Sequence, residues 1–224
     1  MKIDILTLFP NFFENFLHES IIKRALEKHL VEINIIDFRE FSPLKNKQVD
    51  DTPYGGGAGM LLRCEPIFNC IDQIKTDDSH IILLSPEGKT FNQNIAKDLK
   101  KYRHIILICG HYEGFDERIK TLVDEVISIG DFILTGGEIP ALAITDAVVR
   151  LIPGVINAES IQEESFNNNL LDYPQYTKPA IYRGMKVPDV LLSGHHQNIE
   201  LYRKNEQEKK TKELRPDLMG DNNE

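Results

Sequence analysis

The fold of this chain is decided by the stretch His104-Ile-Ile-Leu-Ile-Cys109, which runs directly into Gly110-His-Tyr-Glu-Gly114. A strand-length apolar run followed by a polar, glycine-containing turn is typical of a strand buried on both faces of a parallel sheet. Similar runs recur on either side, separated by amphipathic segments, and this alternation predicts an α/β domain with a mainly parallel sheet. The other runs are Ile3–Phe9, Val31–Phe38, His80–Leu84 and Glu125–Ile129, and the predicted helices are Phe12–Leu30, Gln93–Tyr102, Phe115–Val123 and Glu138–Leu151.

The regular alternation ends after Gly154. The chain from Asn157 to Pro188 shows little periodicity and contains an asparagine run and three prolines, and a highly charged helix is predicted over His196–Leu214. We therefore divide the chain into a large domain over residues 1–158, a linker over 159–174 and a small C-terminal domain over 175–224. The length of 224 residues suits one full-sized core with an appendage.

The composition is that of an ordinary globular protein with an acidic balance. Lys and Arg number 26 against 35 Asp and Glu, a formal charge of -9, which argues against a broad basic surface for nucleic acid but allows a local one. No apolar stretch approaches the roughly 20 residues that cross a bilayer, and no secretory signal is recognisable, so we expect a cytoplasmic protein without membrane contact. Three cysteines without a CxxC pair favour small buried hydrophobes over a disulfide or zinc site.

Three polar loops that contain glycine each follow an apolar strand: Ser85–Gly88, Gly110–Gly114 and Gly130–Gly137. The carboxyl ends of parallel strands meet at one sheet edge, where ligands of open α/β sheets bind, so the three loops predict a small-molecule pocket. Neither GxGxxG nor GxxxxGK[ST] is present, so a phosphate cradle is not expected. A nucleoside without phosphate fits better, and adenosyl compounds are candidates.

A fourth glycine cluster, Pro53-Tyr-Gly-Gly-Gly-Ala-Gly-Met60, lies in a long connection that begins near Ser42. Loops of this length are usually functional or disordered. Glycines allow a close approach by a partner, and Asp50 and Asp51 could accept hydrogen bonds from it. A flexible linker explains the composition equally well, and both interpretations stay open.

Five runs in collinear order resemble the bacterial tRNA (guanine-N1)-methyltransferase family of the SPOUT superfamily, and the likeness extends over nearly the whole chain. They are VDDTPYGGGAGM (49–60), LLSPEGK (83–89), CGHYEGFDERI (109–119), SIGDFILTGGEIPALAITDAVVRLIPGV (128–155) and LLDYPQYTKP (170–179). The resemblance implies a homodimer that transfers a methyl group from S-adenosylmethionine to N1 of guanine 37, the base just 3′ of the tRNA anticodon. It also implies a C-terminal trefoil knot in the large domain, which no periodicity could have indicated because knots are nearly absent among folds.

The family's cofactor pocket falls on the three loops identified above. By the resemblance, the residues that bind the cofactor are Leu84, Ser85, Pro86, Gly110, Tyr112, Glu113, Gly114, Ile129, Gly130, Asp131, Phe132, Ile133, Leu134, Gly136 and Gly137. The tRNA contacts it implies are Asp50, Tyr54, Gly55 and Gly59 in the large domain and Lys178, Arg183, Lys209 and Lys210 in the small one. The family also implies a magnesium requirement; Glu113 is one candidate contact, and no ligand spacing locates the ion.

Methylation at N1 requires a base for the N1 proton and a cation for the charge that gathers on O6. By the resemblance, Arg150 takes the cationic role. The family usually has Asp-Ser-Phe where this chain has Glu164-Ser165-Phe166, which makes Glu164 the base, with Glu163 or a shifted register as the alternative. Two other functions stay open: a SPOUT methyltransferase for another RNA position, and an RNA-binding module without activity.

Overall fold

The structure is a computed structural model that describes residues 1–157 and 165–220. It divides into two compact units, Met1–Ile156 and Asn157–Glu224. Within the described residues, no helix is long and apolar enough to cross a membrane.

The first unit is built on a five-stranded parallel sheet, which confirms the predicted α/β class. From one edge to the other, the strands are β2 (Glu32–Asp37), β1 (Lys2–Thr7), β6 (His104–Cys109), β5 (Ser79–Thr90) and β7 (Glu125–Ser128). Every pairing within this sheet is parallel. All six residues of the central strand β6 are buried, as the apolar run His104–Cys109 predicts. Two further strands, β3 (Asp50–Asp51) and β4 (Leu61–Leu62), form a separate antiparallel pair in this unit.

Helices pack around this sheet and close its core. Phe13 and Phe38 are fully buried, and Leu62, Ile67 and Ile71 join a cluster of buried residues against the strands. The helices are α1 (Glu14–Leu17), α2 (Ser20–Glu27), α3 (Cys64–Ile74), α4 (Gln93–Leu99) and α5 (Glu138–Val149), and shorter 3₁₀ helices cover Pro10–Phe13, Phe38–Phe41 and Glu117–Leu122.

Three predictions about these elements were wrong. The single helix expected over Phe12–Leu30 is broken before Ser20, whose φ of 50° is incompatible with a continuous helix. The predicted helix Phe115–Val123 is a 3₁₀ helix, Glu117–Leu122. The predicted loop Ser85–Gly88 lies inside strand β5, whose pairing with β7 shifts register between Leu84 and Lys89. Pro86 has no N–H for the ladder, which is consistent with an irregularity at this point.

Over its described residues, 165–220, the second unit is small and mostly irregular before its last helix. It contains a 3₁₀ helix (Asn167–Asn169), a hairpin of β8 (Ile181–Tyr182) and β9 (Met185–Lys186), α6 (Asp189–Leu192), α7 (His196–Leu214) and a 3₁₀ helix (Pro216–Met219). The predicted helix His196–Leu214 is confirmed at both ends. Buried Thr211 ties it to the preceding chain, because its hydroxyl accepts from Leu171 N–H at 2.9 Å and donates to Gln207 O at 2.7 Å.

Candidate functional site

The loops after β6 and β7 and the irregular segment of β5 meet at one edge of the sheet, where they surround a pocket of about 310 Å³. The pocket contains every residue of the predicted cofactor set except Asp131, which is exposed outside it. Residues of these loops and their flanks that were not in that set also contribute walls. These additional residues are His111, Phe115, Ile127, Ser128, Thr135 and Pro140.

Glycines allow the loops to approach each other more closely than any side chain would permit. The Gly137 N–H donates to Gly110 O at 2.8 Å. A Cβ on Gly137 would lie 2.6 Å from Cys109 Cα and 2.7 Å from Gly110 N, both of them backbone atoms. A Cβ on Gly88 would lie 2.5 Å from the backbone of Val126 and Ile127. At Gly88 and Gly137, therefore, the close approach is between backbone segments at the strand ends.

The loop after β7 supplies an apolar wall. The first turn of this loop is held by Ser128, whose hydroxyl donates to Gly130 O and accepts from Gly130 N–H, each at 3.1 Å. Beyond this turn, Phe132 is 53% exposed and Ile133 is 83% exposed, although both line the pocket. Exposed apolar side chains beside backbone groups suit the flat, uncharged purine of a nucleoside.

A buried polar network lies behind the pocket at the start of α5. The Thr7 hydroxyl donates to Glu138 Oε1 at 2.8 Å and accepts from Phe9 N–H at 2.9 Å. His111 packs against Phe9 with ring centroids 4.8 Å apart, and its Nδ1 is buried without a hydrogen-bond partner among the described residues. Sequence reasoning missed Thr7 and Glu138 because they lie outside the glycine loops and meet only through the fold.

The glycine cluster 53–60 is the tip of the hairpin formed by β3 and β4, inside the first unit, so it connects two paired strands. The hairpin is joined to the pocket loop: Leu62 N–H donates to Gly114 O at 2.9 Å, and Glu113 N–H donates to Met60 O at 3.0 Å. Gly59 packs so closely that an added Cβ would lie 2.3 Å from Glu113 Cγ. Tyr54 at the tip is fully exposed, and Asp50 is half-buried at the base.

The two predicted catalytic residues are not brought to this pocket within the described part of one chain. Arg150 caps the C-terminal end of α5, whereas Gly137 and Pro140 of the pocket lie at its N-terminal end. A helix of 12 residues is about 18 Å long, so Arg150 stands at the far end of the helix from the pocket. Glu164, and the alternative base Glu163, lie outside the described residues.

The predicted tRNA contacts of the small domain occupy three separate places in the second unit. Lys178 lines a cavity whose walls all belong to the second unit. The Arg183 guanidinium lies 5.3 Å from the centroid of the Tyr182 ring on the hairpin. On α7, Lys209 is exposed, whereas Lys210 donates from Nζ to Asp172 O at 3.0 Å and so has a structural contact as well.

Two buried cysteines of the first unit are unreactive, and the described residues form no metal-binding cluster. Burial, together with the nearby Glu138 carboxylate, raises the pKa of the Cys109 thiol well above its ordinary value, and burial raises that of Cys70 to about 12. These thiols are neutral at pH 7 and are not nucleophiles. Within residues 1–157 and 165–220, no group of three or more His, Cys, Asp or Glu is placed to hold a metal ion.

Comparisons with known proteins agree on one family. The profile of the family described as tRNA (Guanine-1)-methyltransferase TrmD matches residues 1–221. A tRNA (guanine-N(1)-)-methyltransferase of Malacoplasma penetrans is 59% identical over 219 residues, which are 98% of this chain and 97% of that protein. Proteins of the same name from Acholeplasma laidlawii and Halalkalibacterium halodurans are 56% and 54% identical, covering 98% of this chain and 90% and 91% of theirs.

Proposed function

The chain belongs to the tRNA (guanine-1)-methyltransferase family, and we propose that it transfers the methyl group of S-adenosylmethionine to N1 of guanine 37 in tRNA. The products are 1-methylguanosine and S-adenosylhomocysteine. The observation that carries the proposal is the pocket at the carboxyl edge of the sheet, built from three glycine-containing segments with apolar walls and no phosphate-binding loop. Such a pocket suits an adenosyl group better than a nucleotide.

The chemistry assigned to this chain's residues is direct transfer. When bound, S-adenosylmethionine supplies an electrophilic methyl group on a sulfonium. Glu164 accepts the N1 proton as N1 attacks the methyl carbon, the carbon–sulfur bond breaks, and its electron pair stays on sulfur. Arg150 stabilises the negative charge that develops on O6. This scheme has no covalent enzyme intermediate, and it assigns no step to the magnesium ion that the family resemblance implies.

The position of Arg150 supports a site completed by two copies of the chain. Arg150 lies at the C-terminal end of α5, a helix about 18 Å long whose N-terminal end borders the pocket, so we place the arginine at the pocket of another copy rather than at its own. A homodimer, in which Arg150 of one copy serves the pocket of the other, would satisfy the chemistry. A tRNA substrate is the reason to place the activity in the cytoplasm, and the family resemblance supports the trefoil knot around the pocket loops.

The substrate assignment is tested with two tRNA transcripts that differ only in the base 3′ of the anticodon. We expect transfer from labelled S-adenosylmethionine to the guanine transcript and none to the adenine transcript, because adenine has no N1 proton and no O6. Digestion to nucleosides should identify the product as 1-methylguanosine. Methylation of both transcripts would indicate another RNA position, and binding of tRNA without any transfer would indicate a module without activity.

A second test concerns the tRNA contacts on α7. Reversing the exposed charges by Lys209→Glu and Lys212→Glu should weaken tRNA binding and reduce its salt dependence, because each phosphate contact contributes roughly one unit to the salt slope. Calorimetry should show unchanged affinity for S-adenosylmethionine. The matched control reverses Lys75 and Lys101, which pair with Asp72 and Asp98 on the first unit. If both double variants lose tRNA affinity equally, the effect comes from the change in net charge and not from contacts of Lys209 and Lys212 with tRNA.

A further inference from the structure

A cavity of about 400 Å³ opens in the second unit, and no part of the proposed reaction uses it. Its walls come from the irregular chain before the hairpin and from helices α6 and α7, including Leu191 and Ile199. Every described residue that lines it belongs to the second unit. The cavity is therefore a property of this unit, and it shares no lining residue with the cofactor pocket.

The chemistry of the lining is that of a stacking site. The Arg203 guanidinium lies over the Tyr173 ring, 4.7 Å from its centroid, in a cation–π contact. Tyr176, which is 50% exposed, contributes a second aromatic surface. Tyr176 also shares a side-chain hydrogen bond with Tyr202. Burial raises the pKa of Tyr202, and the Glu206 carboxylate and Tyr176 add to the rise.

The Arg203 side chain lines the cavity and also carries an unpaired polar atom. Its Nε is buried and makes no hydrogen bond to the described residues, which costs free energy. The lining carries two cations, Lys178 and Arg203, and no acidic side chain among the described residues. An occupant with a planar ring and a negative charge would match the aromatic surfaces and the two cations of this lining.

We infer that this cavity holds an unpaired, unstacked nucleotide of the tRNA substrate, with its base against Arg203 and Tyr176 and its phosphate near Lys178. Proteins recognise single-stranded RNA in this way, by stacking bases on aromatic rings and guanidinium planes and by hydrogen bonds to base edges. The inference rests on the proposed function, since it takes tRNA as the substrate. It adds a base-binding site in the second unit to the phosphate contacts expected there.

The test compares two arginine-to-lysine substitutions in the full chain. Arg203→Lys keeps the charge but removes the guanidinium plane and Nε, and we expect the Kd for a tRNA transcript to rise about tenfold, within the range for loss of one stacked base. The salt slope should not change, and KM for tRNA should rise while kcat at saturating tRNA stays constant. Arg215→Lys is the matched control, because Arg215 pairs with Asp217 outside the cavity, and should leave the Kd within about twofold. Tyr176→Leu, which removes an aromatic surface but keeps apolar bulk, should act like Arg203→Lys.

An independent measurement needs no variant. Short-wave ultraviolet irradiation of the wild-type complex with tRNA, followed by peptide mapping, should give a crosslink to Tyr173 or Tyr176. Unchanged tRNA affinity in folded Arg203→Lys and Tyr176→Leu proteins, without a crosslink, would overturn the inference. So would a change in sedimentation without a change in tRNA affinity, because the occupant would then be a second copy of the chain. The proposed function fails separately, if wild-type protein transfers no methyl group to tRNA.

Discussion

Glu164→Gln is expected to lower the rate of methyl transfer by about 10²- to 10⁴-fold, the contribution typical of a positioned general base. Glutamine keeps the size and the hydrogen-bonding capacity of the side chain but cannot accept the N1 proton. The N1–H of guanine would then have to lose its proton to water while the nitrogen attacks. Single-turnover assays with saturating tRNA and S-adenosylmethionine measure this step directly.

Two controls decide whether the effect belongs to Glu164. Calorimetry should show the same affinity for S-adenosylmethionine in the variant and the wild type, since the cofactor pocket is built from other segments. Glu163→Gln, one position earlier, should retain nearly full activity. A loss in Glu163→Gln with normal turnover in Glu164→Gln would move the base by one residue, and normal turnover in both would remove the carboxylate from the mechanism.

Gly137→Ala is expected to weaken S-adenosylmethionine binding by about 100-fold or more. The added methyl would lie 2.6 Å from Cys109 Cα and 2.7 Å from Gly110 N, and neither backbone atom can move without displacing the end of β6. Overpacking of this kind typically costs about 1–3 kcal/mol and occasionally more. It would also break the Gly137 N–H bond to Gly110 O that joins two of the pocket loops. Calorimetry with S-adenosylmethionine measures the affinity, and thermal unfolding measures the accompanying loss of stability.

The matched control for Gly137 is Gly56→Ala. An added Cβ there meets nothing within 4 Å, although its φ of +82° makes the substitution locally strained. We expect nearly unchanged cofactor affinity, because Gly56 lies at the exposed hairpin tip rather than in the pocket. If Gly137→Ala bound the cofactor like wild type, close approach of the two loops would not be what shapes the pocket.

The candidate site shows how far periodicity and spacing reach. Apolar runs indicate strands, parallel strands end at a common edge, and glycine-rich turns after three of them therefore converge; Gly110 and Gly137 prove to be hydrogen-bonded to each other. The same reasoning failed at Ser85–Gly88, because the turn residues there interrupt β5 without ending it. It also missed helix α3, Cys64–Ile74, which lies in the connection interpreted as one long loop.

Some parts of the site have no local signal in the sequence. Thr7 and Glu138 are 131 positions apart and meet only because β1 and the start of α5 pack at the same sheet edge. The cation–π contact of Arg203 with Tyr173 likewise joins two segments of the second unit that are far apart in the sequence. Arg150 is close to the pocket loops in sequence but not in space. It lies at the C-terminal end of α5, whereas the pocket borders the N-terminal end of that helix.

The sequence by itself determined the α/β class, the buried central strand, the three pocket segments and the family of the chain, because apolar periodicity, turn residues and collinear motifs are local properties. Only the tertiary structure decided which backbone atoms meet at Gly137, which polar groups stand behind the pocket, how the glycine hairpin is tied to Glu113 and that a cationic aromatic cavity exists in the second unit. The physical reason is that these features depend on distances between segments far apart in the chain. Packing sets those distances, and no local pattern encodes them.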